Sequence, residues 1–361
     1  TRYASTFRWE ASPRSIQSIM GNTIENSNTI NINGNARLTN LYNKVGFLKK
    51  IGQKARPTPG RPGPGGRQPA NKNKQDNPDE TLAADSTAKK GPNIAKLLGT
   101  GLVKLVIGFK DVQLNYTESN GTLLPGFMPK PDILGSRLSD MAPGFGFAFG
   151  GQADIRDDAV SKGWLSTDTL LNNAYILRMT KNLTARATYE PFADFRLEFT
   201  ADRTESFGHQ EYFKANASGT FSSSSPQDRG SFSTSIISLR TAFRKDGTDN
   251  ISQTFEEFKE NRRVISARLG AESPFSNGVD SAGYNIGYGA GSQEVLIPAF
   301  IAAYTGSDPK KVSLSAFPKI PIPNWRFTYN GLSKLEFLKK YFKQVNIAHG
   351  YRSTYAVGSY I

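Results

Sequence analysis

The sequence predicts an all-β chain of antiparallel strands joined by long loops and a few short helices. Three observations predict it. Several windows of about ten residues alternate apolar and polar side chains with period two. The composition favours strands and turns, with 23 Phe, 14 Tyr and 34 Gly among 361 residues. Hydrophobic residues reach only 37% and mean hydropathy is -0.47. No run approaches the roughly 20 apolar residues of a membrane-spanning helix. A β-barrel stays open, because barrel strands dilute apolar side chains at every second position. A soluble sheet fits the same pattern.

Residues 1–51 are expected to hold the first strand or strands. In NTININGNARLTNL, Asn28 to Leu41, one face carries Ile30, Ile32, Gly34, Ala36 and Leu38. The other carries Asn31, Asn33, Asn35, Arg37 and Thr39. Residues 52–92 have no aromatic, no Ile, no Val and a single Leu, Leu82. Such a segment buries too little apolar area to offset ordering entropy, so a disordered Pro/Gly-rich loop is expected.

Residues 93–123 read as a short helix over Asn93–Phe109, then a strand. In that strand Val112, Leu114 and Tyr116 alternate with Gln113, Asn115 and Thr117 up to the turn dipeptide Asn120-Gly121. Residues 124–174 follow as a Pro/Gly/Phe-rich loop region containing LPGFMPKPDILG and APGFGFAFGGQ. Phe127, Phe145, Phe147 and Phe149 make it too apolar for free solvent. It is expected to fold over a pore mouth, line it, or touch a partner.

Residues 175–251 are expected to form hairpins. The clearest spans Leu183 to Ala201. Leu183, Ala185, Ala187 and Tyr189 oppose Thr184, Arg186 and Thr188. A turn at 190–194 leads into Phe195, Leu197, Phe199 and Ala201 against Arg196, Glu198 and Thr200. Arg and Glu are expected to pair across it. Two weaker strands between Gln210 and Phe243 flank SSSSPQDRG. Residues 252–311 read as a helical insertion, with Phe255, Phe258 and Ile265 near one stripe and a second short helix over EVLIPAFIAAY. Residues 312–361 return to strands. Pro318, Pro321 and Pro323 hold an extended entry, then Trp325, Phe327 and Tyr329 alternate with Arg326, Thr328 and Asn330. A last strand is expected through VNIAHGYRSTYAVGSY.

The sequence offers no catalytic constellation, and the expectation is a non-enzyme without cofactor. His209 and His349 lie far apart with no Cys, which argues against zinc. GFGFAFGG is not a dinucleotide fingerprint, and no βαβ pattern follows it. The net charge of +14 suits anionic partners. The Lys and Arg residues are nonetheless spread along the chain and alternate with apolar residues, so they read as the polar faces of strands and not as a nucleic-acid surface. TRYASTFRWE at one end has no signal-peptide regions and TYAVGSYI at the other still alternates, as in a piece of a longer chain.

Seven segments resist a generic reading. They are GNTIENSNTI, NGNARLTNLYNKVGFLKK, LPGFMP, APGFGFAFGGQ, IPAFIAAYTG, PIPNWRFTYNGLSKL and AHGYRSTYAVGSY. Together they resemble the SprA/Sov family, the outer-membrane translocons of the type IX secretion system. The resemblance spans nearly the whole chain outside 52–92 and would cover a late part of that much longer protein.

It implies a segment of a very large transmembrane antiparallel β-barrel, of the class whose largest known member has about 36 strands. It implies export of folded cargo proteins with a C-terminal signal domain to the cell surface. The implied partners are a PorV-like outer-membrane barrel, a plug protein, other periplasmic or lipoprotein accessory proteins, and outer-membrane lipid. Energy would come from an inner-membrane motor. In that frame Asn31, Asn33, Arg37, Thr184, Arg186, Arg196 and Arg326 are expected to face the lumen. Ile30, Ile32, Leu183, Tyr189, Phe195, Phe199, Trp325, Phe327 and Tyr329 are expected to face lipid, with Trp325 near the interface. The competing readings are a smaller outer-membrane barrel for small solutes and a soluble basic β-protein that binds polyanions.

Overall fold

The computed structural model describes residues 1–53, 103, 105–245, 247, 249, 251–315 and 317–360. The loop expected over 52–92 lies outside these residues apart from Gly52 and Gln53, which end a helix, Gly46–Gln53. Most of the helix expected over 93–109 also lies outside them, although residues 105–107 are helical.

The alternating segments do form strands. They are β1 (Arg2–Glu10), β2 (Asn22–Arg37), β3 (Phe109–Phe127), β4 (Tyr175–Tyr189), β5 (Phe195–Ala215), β6 (Phe221–Ser235), β7 (Asn324–Tyr329), β8 (Ile347–Tyr351) and β9 (Thr354–Tyr360). They build one 9-stranded sheet in the order β1-β2-β3-β4-β5-β6-β9, with β7 pairing β5 and β8. Every pairing is antiparallel. The sheet is open among the described residues, with β1 on one edge and β8 and β9 on the other.

Several strands run further than their apolar phase suggests. β2 starts at Asn22 and stops at Arg37, where Leu38–Lys44 turns helical, so Leu38 and Thr39 leave the ladder. Asn120-Gly121 is not a turn. β2 and β4 flank it, pairing Asn28 with Asn120 and Gly121 with Arg178, and ladders on both sides keep the chain extended. β3 therefore continues through Leu124 to Phe127, residues expected in a loop. The 216–220 turn replaces the expected break at SSSSPQDRG, which lies inside β6. Pro226 is tolerated there because the ladder skips between Gln210–Gln227 and Tyr212–Ser224, a bulge where no donor is needed.

β5 is long enough to serve two partners on one edge. Phe195–Thr200 pairs β7, and Arg203–Ala215 pairs β6. β6 and β7 are thus two collinear halves of one position in the sheet, and β8 and β9 are two halves of the next. The chain leaves the sheet after Ser235 and returns at Asn324. Ile322 N–H donates to Ser235 O at 3.0 Å, and Ser353 N–H donates to Asn324 Oδ1 at 2.9 Å. The prolines before Asn324 therefore deliver the chain to the middle of the sheet and not to the end of its strands. The single last strand that the sequence suggested is bent at Arg352-Ser353.

Two insertions pack on the sheet. Residues 128–174 close a core of Ile24, Leu124, Phe127, Phe147, Trp164 and Tyr175. The segment 236–323, which starts earlier than the expected 252, carries helices Gln253–Glu272 and Gln293–Thr305. Ile265, Val295 and Ala299 are buried between them, with Phe258 partly buried beside them, while Phe255 is exposed and rests on Phe258 at 5.9 Å. Ile297, Phe300 and Ile301 pack on Phe232 and Tyr355 of the sheet.

Candidate functional site: the two faces of the sheet

Antiparallel register fixes which side chains share a face. On one face, a row of directly opposed residues runs Ala36, Val112, Ala187, Phe199, Trp325, Tyr351. The next runs Gly34, Leu114, Ala185, Ala201, and the one after begins Ile32, Tyr116, Leu183. Toward the 190–194 turn come Tyr189, Leu197, Phe327, and then Phe195 with Tyr329. On β4 and β5 these rows form an apolar stripe seven residues long, over 183–189 and 195–201, which is about 23 Å at about 3.3 Å per residue.

The stripe has defined borders. At the turn end aromatics crowd together: Phe195 stacks on Phe327 at 5.7 Å, and Phe109 meets Tyr189 at 4.7 Å. At the other end the row Ile30, Glu118, Lys181, Glu205 brings charge onto the same face. Arg203 stands just inside that border, pairs with Glu205 at 2.7 Å, and donates from Nε to Pro318 O at 3.1 Å. Beyond this border the same face is covered by both insertions.

The opposite face is mostly polar, with Leu123 and Ile176 paired on it near one end. It carries Asn31, Asn33, Arg37, Thr184, Arg186, Arg196 and Arg326, each placed by the register. All nine residues expected to face lipid lie on the striped face, and all seven expected to face a lumen lie on the polar face. Trp325 is the innermost of the three β7 aromatics and stacks on Tyr351 at 4.5 Å. Glu198 does not pair with Arg across the hairpin. It bridges Arg196 on its own strand at 2.8 Å, because Arg186 stands opposite Thr200.

The four phenylalanines of the loop candidate separate. Phe127 and Phe147 are 1% and 3% exposed and belong to the insertion core. They cannot line an opening. Phe145 and Phe149 are exposed and lie 6.1 Å apart. Sequence reasoning missed what holds their loop. Asn26 Nδ2 donates to Phe147 O at 2.9 Å and Gly151 O at 2.7 Å. Asn28 Nδ2 donates to Gly150 O at 2.7 Å, and Thr122 Oγ1 to Gln152 Oε1 at 2.9 Å. GNTIENSNTI and APGFGFAFGGQ are thus one contact. The polar Asn26 and Asn28 interrupting the Ile24–Ile30 phase were the signal. Gly150 has φ +87, and a Cβ there would lie 2.9 Å from Ser27 O, so the loop approaches β2 too closely for a side chain.

Charge anchors the same insertion. Arg156 pairs with Asp154 at 2.7 Å and with Glu211 of β5, its guanidinium 4.4 Å above the Tyr175 ring. The Asp154 hydrogen bonds hold the Arg156 pKa above its ordinary value. The Arg137 guanidinium, helped by Trp164 Nε1–H at 2.7 Å, keeps the Asp140 carboxyl well below the usual carboxylate range. Among the described residues no His, Cys, Asp and Glu cluster could hold a metal ion, and no helix is long and apolar enough to cross a membrane. No family model matches the chain, and no curated protein is significantly similar to it.

Proposed function

We propose that this chain is a wall segment of an outer-membrane protein-conducting barrel of the type IX secretion kind, with the stripe against lipid and the polar face on a wet lumen. The observation that carries the reading is the stripe itself. Its length fits the apolar band of about 25 Å of outer-membrane barrels, and aromatics gather at its turn end. Apolar side chains such as Ile32, Val112 and Leu114 are exposed there, which a soluble protein would have to cover. The two open edges fit further wall strands on each side.

Folded cargo with a C-terminal signal domain would pass along the polar face. A PorV-like barrel, a plug protein and accessory proteins would engage the insertions, where Phe145 and Phe149 stand exposed. The parent protein reconstituted in bilayers and freed of plugs is expected to give very large conductance steps. Porin-sized steps favour a small-solute barrel, and a monomer soluble without detergent overturns the membrane reading. Removing residues 130–172 is expected to impair secretion or partner retention while the wall still assembles. Unchanged secretion and partner capture in that deletion overturn the role of the insertion.

A further inference from the structure

The polar face holds an arrangement that a wet surface alone does not require. Arg178 of β4 stands directly opposite Gly208 of β5, and Gly208 stands directly opposite Arg229 of β6. Neighbouring strands are about 4.8 Å apart, so the two arginine backbones are about 10 Å apart with no side chain between them. Both arginines are exposed, and neither makes an ion pair or side-chain hydrogen bond among the described residues. A depression of about 140 Å³ lies over the glycine.

The surroundings are neutral. Above and below the slot, Gln210 bonds Gln227 at 3.4 Å and Ser206 bonds Ser231 at 2.7 Å on the same face. The nearest carboxylates, Asp228 and Glu211, belong to the other face, where Asp228 pairs His209 and Glu211 pairs Arg156. Two uncompensated guanidinium forks on either side of a bare backbone can converge on one oxyanion.

A second cationic place lies along the strand axis. Arg186, Arg326 and Arg352 line a depression of about 540 Å³ and have no ion-pair partner among the described residues, while two carboxylates share its lining, Asp202 and Glu198, the latter paired with Arg196. Arg186 lies eight residues from Arg178, about 26 Å along β4. A single small anion would use one of these places, whereas an extended acidic chain reaches both.

We propose that the polar face binds an extended acidic polypeptide segment, whose carboxylates enter the Arg178–Gly208–Arg229 slot and continue toward Arg186 and Arg326. The proposal rests on the reading that the polar face is wet. It is tested on the parent protein in detergent, by fluorescence anisotropy with a labelled octaglutamate peptide at low salt. Binding is expected, with octalysine giving none. Arg178→Gln with Arg229→Gln should weaken octaglutamate about tenfold or more, the size expected for losing hydrogen bonds to charged groups. Gly208→Leu, which fills the floor of the slot, should weaken it in the same direction. Arg8→Gln, on the same face but already paired with Glu10 at 3.1 Å, should leave it unchanged. Heat-shifted gel migration checks that each variant keeps its wall. Equal binding by the double variant and the parent, equal binding of octalysine, or displacement by equimolar inorganic phosphate would each overturn the proposal, the last marking a small-anion site only.

Discussion

The two halves of the striped face use the same strands and are closed by opposite means. Beyond the Glu118–Lys181–Glu205 border the chain covers itself, seating both insertions on the sheet. Toward the 190–194 turn it leaves Val112, Leu114 and their neighbours bare. The covered half is rich in polar side chains, because Asn26, Asn28, Thr122 and Glu211 must hold loops that also bring backbone groups. The bare half has none to hold. A face that seals itself thus needs polar anchors, while a face sealed by something else can be uniformly apolar.

The most direct break of this contrast is a charge placed in mid-stripe. Ala185→Arg, in the row of Leu114 and Ala201, should cost about 2–4 kcal/mol if that row meets lipid, whereas Thr184→Arg on the other face should be near neutral. Folding into vesicles followed by gel shift reads both. Equal behaviour of the two variants would remove the distinction between the faces. Trp164→Ala, in the covered half, should destabilise the insertion by about 3–5 kcal/mol. Limited proteolysis should then cut within 128–174 while the wall fragment survives.

Asn26→Ala strands two carbonyls and Gln152, at about 1–3 kcal/mol, and opens the same loop more weakly. The smallest effect is one of pH. Asp140 has a depressed folded pKa, so its contribution is complete above the ordinary carboxylate value of about 4 and is lost as pH falls below that toward the folded value. Amide protection factors at Trp164 and Arg137, corrected for intrinsic exchange, should therefore be flat from neutral pH to about 5 and change only in stronger acid. Asp140→Asn should remove that acid step.

Period two was legible wherever one face is bare. The Leu183–Ala201 hairpin and the β7 alternation lie in the stripe, and their faces follow from sequence alone. The pattern failed where the chain covers itself. β1 puts Tyr3, Ser5, Phe7 and Trp9 on the striped face, yet Phe7 and Trp9 serve an insertion core, so the phase did not stand out. Asn120-Gly121 misled because turn propensity is local, and the two ladders that override it are not. The split of one wall position between β6 and β7 follows from the length of β5, which no window around β7 contains. The slot around Gly208 needed three strands in register, and nothing within β4, β5 or β6 alone marks it.

Ser235 and Ile322 are one hydrogen bond apart. The helical segment between them is therefore a side branch whose two stems meet on an already paired ladder. Exchanging it for a short linker leaves every strand register defined by its neighbours, since β6 and β7 are each held by β5. Such a branch can diverge without shifting the strand ladder, as long as it still covers Phe232 and Tyr355.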